Sequence, residues 1–216
     1  MVIDKQLSLV FPTPIGIVQF DNMALFDAMA VEVLNIKDSS TSTIFQEIGN
    51  FCTDDNLNEL VSFTDLTKLI DNEVQVFLQD AYKMDPEHVT MTSMWSNVHN
   101  SKSKHHVHMH PNSFLSGVIY LSTPDTHDNY PGNIFFVDPR YANRIQRADY
   151  KESTIYNENS WVFKPKKGMM LLFPGWLEHG TEAGKFSDDQ YRISLSFNYA
   201  LNQASEITCK FNFNQN

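Results

Sequence analysis

The sequence is short of basic residues, of cysteine and of glycine, and each shortage excludes a class of protein. Its 16 lysines and arginines stand against 26 acidic residues, which gives a formal charge of −10 at pH 7. Because an acidic chain repels phosphate groups, we expect no binding to nucleic acid or to an anionic membrane. The two cysteines, Cys52 and Cys209, have no CxxC or CxxH neighbour, so we expect reduced thiols in a cytoplasmic protein. Eight glycines and nine prolines in 216 residues exclude collagen-like and low-complexity chains.

Long apolar runs and the common catalytic motifs are missing as well. No stretch approaches the roughly 18 apolar residues of a membrane helix. The N-terminus has an early acid and two prolines, which is not the pattern of a signal peptide. The motifs GxSxG, GxGxxG and GxxxxGK are all absent, which excludes a nucleophile elbow and a glycine-rich phosphate loop.

The composition that remains is typical of a globular protein. Hydrophobic residues make up 42% of the chain, which is enough for a sizeable core at this length. Apolar residues recur at three- and four-residue steps over Met23 to Lys37 and over Thr64 to Met84, and this spacing predicts two helices. The apolar stretch from Leu7 to Phe20 is interrupted by two prolines, which is typical of an edge strand.

Beyond residue 88 the pattern changes to short strands separated by turn residues. We predict seven strands: Thr90–His99, His105–His110, Phe114–Ser122, Asn133–Val137, Ser160–Lys164, Met169–Phe173 and Tyr191–Ala200. Many short strands at this spacing predict a sandwich or jelly roll, mainly β with flanking helices. We therefore expect a single domain over residues 1–216, in which a strand and helices within 1–88 support a β core over 89–205.

The last predicted strand has the clearest alternation. Between positions 191 and 199 every second residue is aromatic or aliphatic, and the residues between them are Arg192, Ser194, Ser196 and Asn198. The two sets therefore lie on opposite faces of the strand. An exposed face usually carries Lys, Glu or Thr, so small residues around one arginine indicate the wall of a pocket. An ordinary amphipathic strand is the alternative interpretation.

Five of the eight histidines fall between positions 99 and 110. In a strand, side chains two residues apart point the same way at a spacing of about 6.6 Å, so His106, His108 and His110 would share a face. Two of these imidazoles could converge on a metal ion, and His179, in a loop after an apolar strand, could complete a three-ligand site with open positions. A histidine patch that binds metal only adventitiously is the alternative. Glu178 beside His179 is a candidate base.

Several segments together resemble the Fe(II)/2-oxoglutarate-dependent oxygenases, in particular a 2OG-Fe(II) oxygenase group of marine bacteria and their phages. These segments are WSN at 95–97, HMHPNSFLSGVIYL at 108–121, GNIFFVDPR at 132–140, PKKGMMLLFPGWLEHGTEA at 165–183 and YRISLSFN at 191–198. The resemblance implies a double-stranded β-helix, a cupin-like jelly roll. It also implies Fe(II) and 2-oxoglutarate as cofactors, dioxygen and an unidentified substrate as partners, and a place in the bacterial or phage-infected host cytosol.

The resemblance also assigns roles to individual residues. In the family motif a His-x-Asp/Glu pair is followed by a distal His and an Arg-x-Ser on the last core strand. Here the pair corresponds to His108 and His110, and the distal residue to His179. The resemblance implies that these three hold Fe(II), while Arg192 and Ser194 bind the distal carboxylate of 2-oxoglutarate.

One departure from the family pattern is important, because His110 stands where the family has a carboxylate. A neutral ligand leaves the ferrous site with one more unit of positive charge, which puts the 2-oxoglutarate requirement in question. Glu178 could still contribute to the site. The pair His106 and His108 is the alternative to His108 and His110.

The expected function is the hydroxylation of a C–H bond in a peptidyl or small-molecule substrate, with release of succinate and carbon dioxide. Asn97 and Tyr120 lie on strands that could line the same pocket and hydrogen-bond 2-oxoglutarate. We expect no catalytic residue beyond the metal ligands. The alternatives are a three-histidine cupin-like dioxygenase that does not use 2-oxoglutarate, and a non-catalytic metal-binding interaction protein.

Two stretches, Thr126–Tyr130 and Tyr141–Glu158, have the composition of loops over the mouth of the site. Arg140, Arg144 and Arg147 in and beside the second stretch could meet an acidic partner, although a solvated surface explains them more simply.

Overall fold

The computed structural model describes residues 4–40, 50–124, 126, 130–141, 149–187 and 189–202. Its two α-helices are α1 (Met23–Ser39) and α2 (Thr64–Phe77). Its strands, in chain order, are β1 (Gly16–Gln19), β2 (Asn50–Cys52), β3 (Val89–His99), β4 (His105–His108), β5 (Leu115–Ser122), β6 (Ile134–Val137), β7 (Ser160–Phe163), β8 (Met169–Pro174), β9 (His179–Thr181) and β10 (Arg192–Leu201). All seven strands predicted beyond residue 88 are present, with ends shifted by one or two residues.

The strands form two antiparallel sheets that face each other. The large sheet has the order β1-β8-β5-β10-β3-β2, and the small sheet has the order β4-β9-β6-β7. From β3 to β6, and again from β7 to β10, successive strands alternate between the two sheets. This winding confirms the predicted jelly roll of the double-stranded β-helix type.

The two helices pack on the outer face of the large sheet. Helix α1 begins at Asn22, whose side-chain oxygen accepts the backbone N–H of Leu25 at 3.3 Å and so satisfies a donor that the first helical turn leaves free. The buried residues of α1 follow the helical repeat: Phe26, Met29, Ala30 and Val33. Those of α2 do the same: Leu66, Ile70 and Val74. Both stripes join one core with the apolar face of the sheet.

Helix α2 is shorter than the predicted helix, which extended to Met84. Its α-helical hydrogen bonding ends at Phe77, and a wider π-helical turn continues over Leu78–Tyr82. Lys83 then adopts a left-handed conformation with φ 52°, which closes the helix before Pro86. The apolar repeat therefore predicted the buried residues of this segment correctly, but it did not predict the change from α-helical to π-helical hydrogen bonding.

The N-terminal stretch contributes only a short strand to the large sheet. Of the predicted edge strand from Leu7 to Phe20, the four residues of β1 pair with β8 at the sheet edge. No helix within the described ranges is long and apolar enough to cross a membrane. Cys52 is a free thiol, and Cys209 lies outside the described residues. The single domain over 1–216, divided at residue 88, stays a prediction.

Strand β10, in the middle of the large sheet, separates an apolar face from a polar one. On the helix side its side chains enter the core: Ile193, Leu195, Phe197 and Tyr199. On the other side, cross-strand pairs form three successive levels: His99 with Arg192, Asn97 with Ser194 and Tyr120, and Trp95 with Ser196. The predicted alternation is confirmed, and the polar face looks into the space between the two sheets.

Candidate active site

Three histidine side chains, two from the small sheet and one from just beyond it, meet over the polar face of β10. His108 ends β4 and pairs directly with His179, which begins β9. His110 lies two residues beyond β4, where its backbone N–H donates to the carbonyl of Gly175 at 2.9 Å. The Nε2 atoms of His110 and His179 are 3.3 Å apart. One ligand nitrogen from each ring lies within 4.8 Å of the others, a set able to hold one metal ion.

Backbone carbonyls fix the proton positions of two of these rings. Nδ1 of His108 lies 2.7 Å from the carbonyl oxygen of His106, and Nδ1 of His179 lies 2.9 Å from that of Leu177. Because a carbonyl only accepts, each Nδ1 carries the proton and donates it. Each Nε2 then presents a lone pair, and this outer hydrogen bond is the one that metal-bound imidazoles commonly make.

The surroundings of two rings keep them neutral. His179 is 5% exposed, and burial lowers its pKa to about 3, with the neighbouring histidines adding to the shift and the Leu177 carbonyl opposing it. Burial, helped by His108, lowers the pKa of His110 to about 4. A metal binds only the neutral imidazole, so at neutral pH no proton has to leave either ring before it binds.

Arg192 closes the far end of the cavity. Its side chain is 2% exposed, and burial lowers its pKa, with Tyr120 opposing that shift. The two terminal nitrogens donate to neutral acceptors, the carbonyl oxygen of Gly132 and Nδ1 of His99. Its Nε is buried without a hydrogen-bond partner. A buried guanidinium that lacks both an anion and one hydrogen bond is costly, so this end of the cavity suits an anionic group.

The remaining predicted residues lie on the wall between Arg192 and the histidines. Ser194 is 7% exposed, Asn97 4% and Tyr120 2%, and burial raises the pKa of the Tyr120 hydroxyl to about 12. The cavity has a volume of about 100 Å³. The described residues that line it include no aspartate or glutamate, and Arg192 is the permanently charged side chain among them.

The cavity is closed at one end and open at the other. Along the polar face of β10, Arg192 and Ser194 are buried, whereas Ser196 and Asn198 are half-buried. Trp95, half-buried as well, lies against the His110 ring with 5.8 Å between the ring centroids. Solvent therefore reaches the cavity at the level of Ser196 and at His108, which is itself exposed.

All seven site residues named from the sequence line this one cavity: Asn97, His108, His110, Tyr120, His179, Arg192 and Ser194. Two weaker candidates do not. His106 is exposed and Glu178 is half-buried, and both lie outside the cluster of described side chains able to hold a metal ion. The expectation that His106, His108 and His110 share a strand face is wrong, because the pairing register shifts between His105 and His108 and the strand ends at His108.

The sequence analysis assigned no role to His99, His105 or Asn50. His105 turns into the cavity because of the register shift, and its Nε2 lies 3.2 Å from Nε2 of His99 and 3.0 Å from Nδ2 of Asn50. The histidine-rich composition pointed to this region. The contact with Asn50 could not be predicted, because Asn50 lies on β2, a three-residue strand that is too short to show an alternating sequence pattern.

The two predicted cover loops are described only in part, because residues 127–129 and 142–148 lie outside the described ranges. Within Tyr141–Glu158 the described residues Ile155, Tyr156 and Glu158 line a second, larger and mostly apolar cavity, of about 590 Å³, beside the N-terminal stretch. Arg140 is bound by Asp138, with Nε to Oδ1 at 2.9 Å, so it is part of a surface ion pair. Arg144 and Arg147 lie outside the described residues. Of Thr126–Tyr130, Tyr130 donates its hydroxyl to Glu182.

Comparison with known proteins finds a matching family and similar folds. Residues 93–198 match a family described as "Putative 2OG-Fe(II) oxygenase". The fold is similar to that of HygX from Streptomyces hygroscopicus, solved with nickel and 2-oxoglutarate bound, with a TM-score of 0.61 and 12% identity over 88% of this chain and 84% of that one.

Two further solved structures are prolyl hydroxylases. A Pseudomonas putida prolyl-4-hydroxylase is similar with a TM-score of 0.59 and 11% identity, covering 88% of this chain and 94% of that one. A Trichoplax adhaerens prolyl hydroxylase, solved with a hypoxia inducible factor peptide fragment, is similar with a TM-score of 0.60 and 12% identity, covering 86% of this chain and 83% of that one. No curated protein matches the chain at a significant level. At these identities the structures show a shared fold.

Proposed function

Because residues 93–198 match the 2OG-Fe(II) oxygenase family, whose enzymes depend on Fe(II) and 2-oxoglutarate, we propose that the chain is such an oxygenase and hydroxylates a C–H bond of a peptidyl or small-molecule substrate. In this reaction Fe(II) and 2-oxoglutarate together supply the activation of dioxygen, with release of succinate and carbon dioxide. The protein's own residues bind, orient and shield the reactants. The similar structures include two prolyl hydroxylases, and HygX solved with hygromycin B bound, which supports the two substrate classes named here.

The proposed metal ligands are His108, His110 and His179. The observation that carries this proposal is the convergence of three imidazole nitrogens within 4.8 Å. Two of the rings have Nδ1 tied to a backbone carbonyl, so their free nitrogens already point at a common position. Imidazole suits ferrous iron. Three protein ligands leave coordination positions open for a cosubstrate and for dioxygen.

The proposed anchor for 2-oxoglutarate is Arg192 with Ser194. The guanidinium offers a planar fork of donors that fits a carboxylate, and a serine hydroxyl adds one hydrogen bond. The unpartnered Nε of Arg192 is a donor that a carboxylate oxygen could satisfy. Asn97 and Tyr120, at the same level as Ser194, are proposed to bond the same molecule. The burial of all four side chains excludes water from this end of the cavity.

The test is an anaerobic titration of the Fe(II)-loaded protein with 2-oxoglutarate, followed through the visible metal-to-ligand charge-transfer band. We expect the band in the wild-type protein and its loss in His110→Ala. The matched control is His106→Ala, which removes an exposed histidine from the same segment and should leave the band intact. Arg192→Ala should retain iron and bind 2-oxoglutarate weakly.

The outcomes separate the possible ligand sets. Loss of the band in His106→Ala but not in His110→Ala would replace His110 by His106 as a ligand. A wild-type protein that holds iron and shows no band would contradict the use of 2-oxoglutarate. Oxygen consumption under those conditions would then favour a three-histidine dioxygenase that acts on its substrate directly.

A further inference from the structure

We propose that His99 is a positioning residue that fixes the guanidinium of Arg192 toward the cavity, and that His105 and Asn50 set the proton arrangement that lets it do so. The inference rests on the proposed function, because it concerns how tightly the distal carboxylate of 2-oxoglutarate is bound. It extends the site to β2, a strand outside the alternating jelly-roll pattern.

The argument begins at Arg192, which can only donate hydrogen bonds. One terminal nitrogen contacts Nδ1 of His99, so that Nδ1 must accept and cannot carry the proton. His99 is therefore neutral with its proton on Nε2. Its ring is 2% exposed, and burial, with the charge of Arg192 adding to it, holds its pKa well below the usual value.

The next contact follows from that assignment. Nε2 of His99 lies 3.2 Å from Nε2 of His105. Because Nε2 of His99 carries the proton and donates, Nε2 of His105 must accept this hydrogen bond. The amide nitrogen of Asn50 lies 3.0 Å from the same atom of His105 and donates as well. The two donors then share the one lone pair of this nitrogen, and Oδ1 of Asn50 is buried without a hydrogen-bond partner. Reversing the Asn50 amide would instead set that oxygen against a nitrogen without a proton. The donors thus run in one direction, from Arg192 and Asn50 toward His105.

A second contact holds the other end of the guanidinium. Its other terminal nitrogen donates to the carbonyl oxygen of Gly132. Gly132 has φ +85°, and a β-carbon there would lie 2.5 Å from Nη1 of Arg192, so only glycine allows this approach. With both terminal nitrogens held, the guanidinium plane is set before any ligand arrives. Preorganisation of this kind raises affinity, because less side-chain freedom is lost on binding.

The chain offers a matched pair of variants at position 99. His99→Asn places an amide oxygen near the position of Nδ1 and keeps an acceptor for Arg192. His99→Leu has nearly the same shape and no acceptor. We expect His99→Leu to bind 2-oxoglutarate about 10- to 100-fold more weakly, the range for a hydrogen bond to a charged group. His99→Asn should stay close to the wild-type affinity.

The experiment compares two 2-oxo acids on the anaerobic Fe(II) proteins. 2-Oxobutyrate keeps the metal-binding end of 2-oxoglutarate but lacks the distal carboxylate, so its affinity should be equal in all three proteins. Iron content should also be equal in the two variants, and the lower thermal stability expected of His99→Leu, which leaves a buried donor of Arg192 unpaired, should not change its affinity for 2-oxobutyrate. Nitrogen-15 spectra of histidine in the metal-free wild type should show His99 protonated on Nε2.

Three results would overturn the inference. One is equal 2-oxoglutarate affinity in His99→Leu, His99→Asn and the wild type. Another is a loss in His99→Leu that is as large for 2-oxobutyrate, which would show an effect on the metal site or the fold. The third is His99 protonated on Nδ1. Absence of the charge-transfer band in the wild type, by contrast, would contradict the proposed function itself.

Discussion

The two faces of the large sheet are built from the same strands but differ in what they contain. The face under the helices is mainly apolar and closely packed, with Leu195 and Phe197 both 0% exposed. The opposite face carries Arg192, Ser194 and their polar cross-strand neighbours. The Nε atom of Arg192 is buried there without a hydrogen-bond partner. One face therefore supplies stability, and the other uses that rigidity to hold polar groups that would be costly elsewhere. Substitutions on the two faces should have separable effects.

The largest expected effect is that of His179→Ala. Removal of a proposed ligand should abolish metal binding and oxygen consumption, while the helix-covered core keeps the protein folded. Metal content after gel filtration and the unfolding midpoint of the metal-free protein measure the two effects separately. His88→Ala, which removes an exposed histidine away from the cavity, is the control. An unfolded His179→Ala protein would mean that the two faces are not independent.

The converse change is Phe197→Ala on the helix side. Removing a fully buried ring from a packed core should lower the free energy of unfolding by about 3–5 kcal/mol. The Kd for 2-oxoglutarate of the protein that remains native should change little. Urea unfolding and the charge-transfer titration at low temperature test both statements. A loss of affinity as large as the loss of stability would contradict the separation of the faces.

A smaller effect is expected for Ser194→Ala on the polar face. The hydroxyl is proposed to donate to a carboxylate, so its loss should raise the Kd for 2-oxoglutarate about tenfold. Stability should hardly change, because the side chain is small. Ser196→Ala, one level nearer to the open end, is the matched control and should bind 2-oxoglutarate normally. Equal effects of the two substitutions would place the carboxylate elsewhere.

The smallest expected effect is a pH dependence of the metal-free protein. The pKa of His179 is about 3 in the folded chain and about 6.5 when unfolded. Below pH 6.5 the unfolded state therefore binds the extra proton, and stability falls as the pH falls toward 3. Between pH 7 and pH 5.5 this histidine should cost about 1 kcal/mol. Urea unfolding of wild type and His179→Gln at both pH values measures it, and parallel curves would contradict the shift.

The difference between the faces also explains how far the sequence could predict the structure. The alternation along β10 identified both faces, because a period of two survives in a strand buried on both sides. The histidine cluster identified the site, because few other roles require so many imidazoles in one segment. The shift in register between His105 and His108 could not be predicted, since it depends on the pairing of β4 with β9. The contact between Asn50 and His105 joins residues far apart in sequence.

The closed end at Arg192 and the open end at Ser196 have a consequence for kinetics. A molecule seated against Arg192 must pass the histidines to reach its place, and a second molecule bound near Ser196 would cover it. If Arg192 holds 2-oxoglutarate as proposed, we expect ordered binding, with the cosubstrate first and the substrate second. Excess substrate should slow the entry of the cosubstrate, and the product formed at the closed end should leave last.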